Sequence, residues 1–263
     1  MKIRDVVGVI EEFAPLSLQA SYDNSGLIVG RLDDEVHKAL LAVDVTEEVM
    51  DEAEREGCDI IITHHPIIFS PLKRLNSATY VERCVERAIR RGIALYASHT
   101  NLDSTREGMS WRLGRMIGLE NMSVLEPQTG NPDVGFGVVG ELSVEEAAVS
   151  FMRRVAGVLD VKAVRHSDIP AVCASVRRVA ICTGSGHSLI GDALAAGAEV
   201  YITGDLKYND FMLGENRMIL MDIGHFESEF CAINILDDVI SKKLCNFAVR
   251  KSLCSRSPIN YLL

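Results

Sequence analysis

No run of apolar residues in this 263-residue sequence approaches the length needed to span a bilayer. The opening segment, Met1-Lys2-Ile3-Arg4-Asp5, reads as the start of an amphipathic helix and lacks the apolar core of a secretory signal. C-x-x-C pairs are also missing. The seven cysteines (Cys58, Cys84, Cys173, Cys182, Cys231, Cys245 and Cys254) are scattered and odd in number. That excludes zinc-finger and thioredoxin-like motifs and leaves reduced thiols in a cytoplasmic protein as the expectation. Basic residues are in deficit. The 27 Lys and Arg against 37 Asp and Glu give a net charge of −10, with no compensating basic stripe. Such a surface repels phosphate backbones, so nucleic acid is not an expected partner, and no membrane association is expected either. A bound cation would reverse the field locally. No Ser-His-Asp or Cys-His nucleophile pattern has usable spacing, and no short-period repeat or low-complexity tract is present.

What is there is an ordinary globular balance, 48% hydrophobic and 24% charged residues, in a chain long enough for one large domain or two lobes. Ile3, Val6, Val7, Ile10 and Phe13 recur at helical spacing and predict a first helix ending near Pro15. Short apolar runs then alternate with helical patterns. Residues 39–43, 60–62 and 93–97 read as strands. Thr46–Arg55 reads as a helix with Thr46 as N-cap and Gly57 as its stop, followed by helices at Thr79–Arg91 and Met109–Ile117. A second series starts after Pro127. It has a strand at Phe136–Val139, a helix at Val144–Val155, and strands near Val161 and at Val179–Cys182. A helix at Leu189–Ala196, strands at Val200–Thr203 and Met218–Met221, and a long helix from about Glu227 to Leu244 complete it. Strands alternating with helices imply an α/β fold with parallel pairing. Two prolines and a glycine make Glu126–Asp133 the expected boundary, with lobe 1 at about 1–126 and lobe 2 at about 127–263.

Three polar clusters fall at strand ends, where open α/β sheets place ligands. They are Thr63-His64-His65-Pro66, Ser98-His99-Thr100-Asn101-Leu102-Asp103, and Asp222-Ile223-Gly224-His225-Phe226-Glu227-Ser228-Glu229. Adjacent strand side chains point to opposite faces, so His64 and His65 share one metal only if the backbone bends between them; otherwise each anchors its own ion. His225 and Glu229, four apart, face one side of a helical turn. Taken singly, each cluster has a plain alternative: two loop histidines, a cap or turn residue at Asp103, or a carboxylate at a helix N-terminus. His99 reads as a ligand, as the orienting partner of one, as a proton shuttle, or as a hydrogen-bonded loop residue. Three clusters at three strand ends favour one site, with His64, His65, Asp103, His225 and Glu229 as metal ligands. Mixed imidazole and carboxylate donors suit two divalent ions of zinc, manganese or iron, with positions left open for water or substrate. Asp44, which ends the first of these strands, reads either as a hydrogen-bond partner for a ligand histidine or as a helix cap. Thr183-Gly184-Ser185-Gly186 reads as a tight strand-to-helix turn before an anion cradle.

These blocks, with Tyr22-Asp23-Asn24-Ser25-Gly26-Leu27, Thr203-Gly204-Asp205 and Ser257-Pro258-Ile259, resemble the NIF-three-like family, whose members are called GTP cyclohydrolase 1 type 2 homologues. The resemblance runs the whole length as a single NIF-three-like domain, 1–263. It implies two similar α/β lobes, with mainly parallel or mixed sheets flanked by helices and a metal cleft between them. It also implies a dinuclear metal centre on the same five residues and a ring-shaped homohexamer. The last helix is apolar on more than one face, as burial on several sides requires. Two positions depart from the family pattern: Tyr22 where Trp is usual, and Asn209 where His is frequent. Asn cannot transfer protons near neutral pH. The expected function is a dinuclear metal-dependent hydrolase acting on a small molecule, namely a nucleotide, phosphoester or cyclic amide. The alternative is a non-catalytic metal-binding scaffold or regulator.

Overall fold

A computed structural model describes residues 1–262. The first part of the chain forms α1 (Ile3–Phe13), β1 (Gly26–Val29), β2 (Lys38–Ala42), α2 (Glu47–Glu56), β3 (Ile60–Thr63), α3 (Tyr80–Arg91), β4 (Ala94–Ala97) and α4 (Thr100–Ser104). Next come α5 (Met109–Met116), β5 (Leu119–Gln128), β6 (Asn131–Ala147), α6 (Ala148–Val158), β7 (Arg165–His166), β8 (Ser175–Ser185), α7 (Ile190–Ala195), β9 (Val200–Gly204), β10 (Ile219–Asp222) and α8 (His225–Glu229). The chain closes with α9 (Cys231–Lys243) and β11 (Ala248–Lys251). It divides into two compact units: Met1–Thr105 with Ala232–Arg256, and Arg106–Cys231 with the residues from Ser257 on.

Unit 1 holds a five-stranded sheet in the order β1-β4-β3-β2-β11, parallel except for β1. Its two crossover helices start and stop where the sequence says. The hydroxyl of Thr46 accepts from Val49 N and that of Thr79 from Glu82 N, while Gly57 and Gly92 take the left-handed conformation that ends each helix. Every residue of β3 and β4 is buried, as helices on both faces require. Leu40, Met50, Ile61, Cys84 and Leu95 belong to one core cluster.

Unit 2 holds a six-stranded mixed sheet in the order β5-β6-β8-β9-β10-β7, with β8, β9 and β10 parallel. Phe151, Val179, Ile202 and Met221 belong to one core cluster, and Tyr201, Leu189 and Leu220 to another. Mixed α/β sheets flanked by helices are thus present in both units, as expected.

The same frame occurs in both. Ala39 pairs with Ile60 in unit 1, and 140 positions further along both strands Val179 pairs with Val200 in unit 2. The Asp59 carboxylate accepts from the backbone N of His37 and Lys38, and the Glu199 carboxylate accepts from Arg177 and Arg178. Gly57 and Gly197 are left-handed at matching helix ends.

Some expectations change. Glu126–Asp133 is not where the units divide; it lies in the β5–β6 hairpin, where Pro127 pairs with Gly135 and Gln128 with Asn131. Proline and glycine mark a tight hairpin turn as readily as a linker. The expected helix from Val144 begins only at Ala148, because Glu146 and Ala147 still pair with Val176 and Ser175 in β8. The strand near Val161 is replaced by β7, and the last long helix is split at Phe230 into α8 and α9. Among the described residues no cysteine forms a disulfide, and no helix is long and apolar enough to cross a membrane.

Candidate metal centre

In unit 1 the site begins where β3 stops. The strand ends at Thr63, so His64 and His65 are already outside the pleat and do not face opposite ways; their ring centroids are 5.0 Å apart. The Thr63 hydroxyl donates to His65 O at 2.8 Å and fixes that departure. His64 is fully buried, and its Nδ1 lies 2.9 Å from Ser98 O at the end of β4. A carbonyl can only accept, so Nδ1 carries the proton and Nε2 presents its lone pair. That Nε2 lies 3.8 Å from Asp103 Oδ1 on α4. His65 Nδ1 is 2.7 Å from Asp44 Oδ1, the partner its place at the end of β2 suggested. His99 Nδ1 is 2.7 Å from Asp23 Oδ1. His64, His65 and His99 each offer one nitrogen, and these atoms all lie within 4.8 Å of one another.

Asp23 is the residue the sequence reading passed over. Its side chain is fully buried. Burial alone would raise its pKa, but hydrogen bonds with His99 and Thr100 outweigh that and hold the carboxyl well below the usual range. Its Oδ2 also accepts from Thr100 N at 3.1 Å and from Ser25 Oγ at 2.9 Å. It is 76 residues from His99 in sequence, and only its setting in a loop of small polar residues hinted at a role.

In unit 2 the site begins where β10 stops. Gly224, with φ 89°, turns the chain into α8, whose first residue is His225. His225 Nδ1 lies 2.8 Å from Asp205 Oδ2 at the end of β9, and Nε2 lies 3.0 Å from Glu229 Oε2 one turn on. Glu229 is 3% exposed. Two glycines make room for this pair. A Cβ on Gly184 (φ 67°) would collide with Glu229 Oε1, and one on Gly204 would sit 2.8 Å from His225 N. Gly184 N donates to Ser228 Oγ and Gly186 N to Thr203 Oγ1, so these N–H groups are already engaged; Thr183, Gly184 and Ser185 are still the end of β8, and the turn comes only from Gly186 on. Asn209 lies in the short turn Tyr208–Met212.

The donors fit a divalent transition metal. In each unit imidazole nitrogen and carboxylate oxygen face each other, and the 3.0 Å between His225 Nε2 and Glu229 Oε2 suits two ligands on one ion with bonds near 2 Å. Each of the four imidazoles has its Nδ1 turned to an oxygen, as metal-binding histidines do.

The sequence profile described as Duf34/NIF3 (NGG1p interacting factor 3) matches residues 1–258. A Clostridium perfringens protein named GTP cyclohydrolase 1 type 2 homolog is 34% identical over 248 residues, 93% of each chain. The NIF3-like protein 1 of Drosophila melanogaster is 30% identical over 249 residues, 92% of this chain and 83% of its own. Among solved structures, Staphylococcus aureus protein SA1388 superposes with a TM-score of 0.90 at 27% identity, covering 100% of this chain and 99% of its own. A Bacillus cereus protein related to NIF3 gives the same TM-score at 24% identity and the same coverage.

Proposed function

The chain belongs to the Duf34/NIF3 family, and from that premise we propose that it is a dinuclear metal-dependent hydrolase. His64, His65, Asp103, His225 and Glu229 would hold two divalent ions, and the substrate is a nucleotide, phosphoester or cyclic amide. The names of its relatives, GTP cyclohydrolase 1 type 2 homologues, support the hydrolytic reading. The observation that carries it is the common tethering of four imidazoles through Nδ1, with Nε2 of His225 turned to Glu229 and that of His64 toward Asp103. Bound divalent cations supply Lewis acidity and lower the pKa of coordinated water.

The chain's own groups do the rest. Asp103 would supply a carboxylate that helps hold the two ions. Ser98 O, Asp44 and Asp205 hold the ligand imidazoles in one tautomer. His99, backed by Asp23, is the proton carrier beside the ligands, a role that Asn209 cannot fill. We also propose a homohexamer, a form that the family resemblance implies; mass measurement in solution at micromolar concentration tests it, and a metal-loaded monomer would refute it.

The decisive experiment is elemental analysis of the purified protein followed by a turnover screen against nucleotides, phosphoesters and cyclic amides. Two equivalents of metal with turnover that disappears in Asp103→Ala supports the hydrolase. Metal without turnover across the panel favours a binding scaffold.

A further inference from the structure

Unit 1 exposes two aromatic rings beside its imidazoles, and a polar bond next to Phe69 sets the backbone that carries one of them. Tyr22 is 67% exposed and Phe69 50% exposed. Their ring centroids are 6.4 Å apart at 61°, so together they form an open corner. Phe69 continues onto the site, its ring 6.0 Å from that of His99 and edge-on to it. One short segment builds both features. Asp23 holds His99 through Nδ1, and the next residue, Asn24, donates from Nδ2 to Ile68 O at 2.6 Å, setting the backbone that carries Phe69. Tyr22, just before Asp23, supplies the second ring. Large apolar rings held in water cost stability, and pre-ordered ones at the rim of a polar site mark a ligand surface.

We propose that Tyr22 and Phe69 form a stacking corner for a planar aromatic heterocycle in the substrate, one ring against its face and the other against its edge. The hydrolysable or phosphate-bearing end of the same molecule then lies toward His99 and the ligand imidazoles. This rests on the metal-dependent reading above and narrows its substrate class to molecules with a flat ring system. Corner geometry favours a flat ring over an aliphatic group, because aromatic pairs gain most in offset-stacked and edge-to-face contacts.

The test compares AMP with ribose 5-phosphate, which has the same sugar and phosphate but no base, by calorimetric titration of the full-length, metal-loaded chain. The expected result is binding of AMP at least about tenfold tighter, the scale of one stacked base. Phe69→Ala and Phe69→Leu should both bring the ratio close to one, and Phe69→Trp should keep it. Ribose 5-phosphate affinity and metal content should not change in any variant. A wild-type ratio near one, a Phe69→Leu variant that keeps the preference, or failure of both probes to bind overturns the proposal. Metal content measured on the same samples reports separately on the metal-dependent reading. A metal-loaded chain without base preference loses the corner and keeps the centre.

Discussion

In unit 1 the chain leaves β3 as Thr63-His64-His65; at the matching point in unit 2 it leaves β9 as Thr203-Gly204-Asp205. The strand pairing is equivalent at both places, although the chain turns left-handed at Asp205 and not at His65. Ser98 N donates to Thr63 O and Ile223 N to Thr203 O, so the third strands also align. After each third strand comes a five-residue helix, α4 or α8, and each supplies a carboxylate from its first turns, Asp103 or Glu229. The loading differs. Unit 1 places three imidazoles and a carboxylate on its strand ends. Unit 2 places one imidazole, and spends the β8 and β9 ends on glycines that let His225 and Glu229 approach. A repeated frame therefore does not imply a repeated site: side-chain size at the strand ends decides which unit is donor-rich.

The comparison breaks first at Asp103. If it is the carboxylate shared between ions, Asp103→Ala should abolish turnover to background and lower metal content by both equivalents. His225→Ala should leave unit 1's imidazoles holding one ion. Elemental analysis with circular dichroism as a fold check reads both. Equal loss of metal in the two variants would contradict an unequal division of donors between the units.

Orienting carboxylates give a smaller effect. Asp205→Asn removes the charge behind His225 but keeps a residue that tolerates the left-handed backbone found there, φ 57°. Metal affinity should fall about 10–100-fold. Asp44→Asn, behind His65, should cost less, because two further imidazoles of unit 1 remain in place. Competition with a chelator of known affinity measures both; a larger loss in Asp44→Asn would reverse the ranking.

How much of this was legible depends on the range of the interaction. Thr46 and Gly57 act within one helical turn, and their signals were read correctly. The five proposed ligand residues stood out because each follows a strand end, a local cue. The β5–β6 hairpin was hidden because its proline and glycine resemble a linker, and Val144–Ala147 because an apolar-acidic run suits helix and strand alike until β8 pairs with it. Asp23 was hidden by distance along the chain. So was the repeated frame, whose visible trace is the short likeness of Gly57-Cys58-Asp59-Ile60-Ile61-Ile62-Thr63 to Gly197-Ala198-Glu199-Val200-Tyr201-Ile202-Thr203.

Unit 1 also contains a buried carboxylate of purely structural use. Glu52, 3% exposed, accepts from Ser252 Oγ, Leu253 N and Cys254 N, and ties α2 to the segment after β11. Burial would raise its pKa, but these bonds more than offset that and lower it. A carboxyl with a depressed folded-state pKa contributes stability that is present above its unfolded pKa, about 4.3, and is lost as pH falls through the folded value. Unit 1 should therefore lose protection in its α2 and β11 amides below about pH 4.3. Glu52→Gln should cost roughly 2 kcal/mol at pH 7 and flatten that acid response. Hydrogen exchange across pH 3–7 resolves it; an unchanged response in the variant would assign the acid sensitivity elsewhere.

The smallest expected effect lies at the helix starts. Helix α2 begins at Thr46, whose hydroxyl accepts from Val49 N at 3.2 Å, whereas α7, its counterpart in the repeated frame, begins through a 3-10 turn at His187–Leu189 with no side-chain cap. A capping hydroxyl satisfies one N–H that the helix itself cannot, so Thr46→Ala should destabilise α2 by about 1 kcal/mol. Ser185→Ala, at the exposed approach to α7, should change stability by less than about 0.5 kcal/mol, the ordinary range for a surface substitution. Two compact units need not unfold together, so a single melting temperature is a poor gauge. Native-state hydrogen exchange on the amides of each helix reads the two effects separately. Equal losses in both variants would mean that α7 relies on a hydroxyl cap as α2 does, and the contrast between the two helix starts would fall.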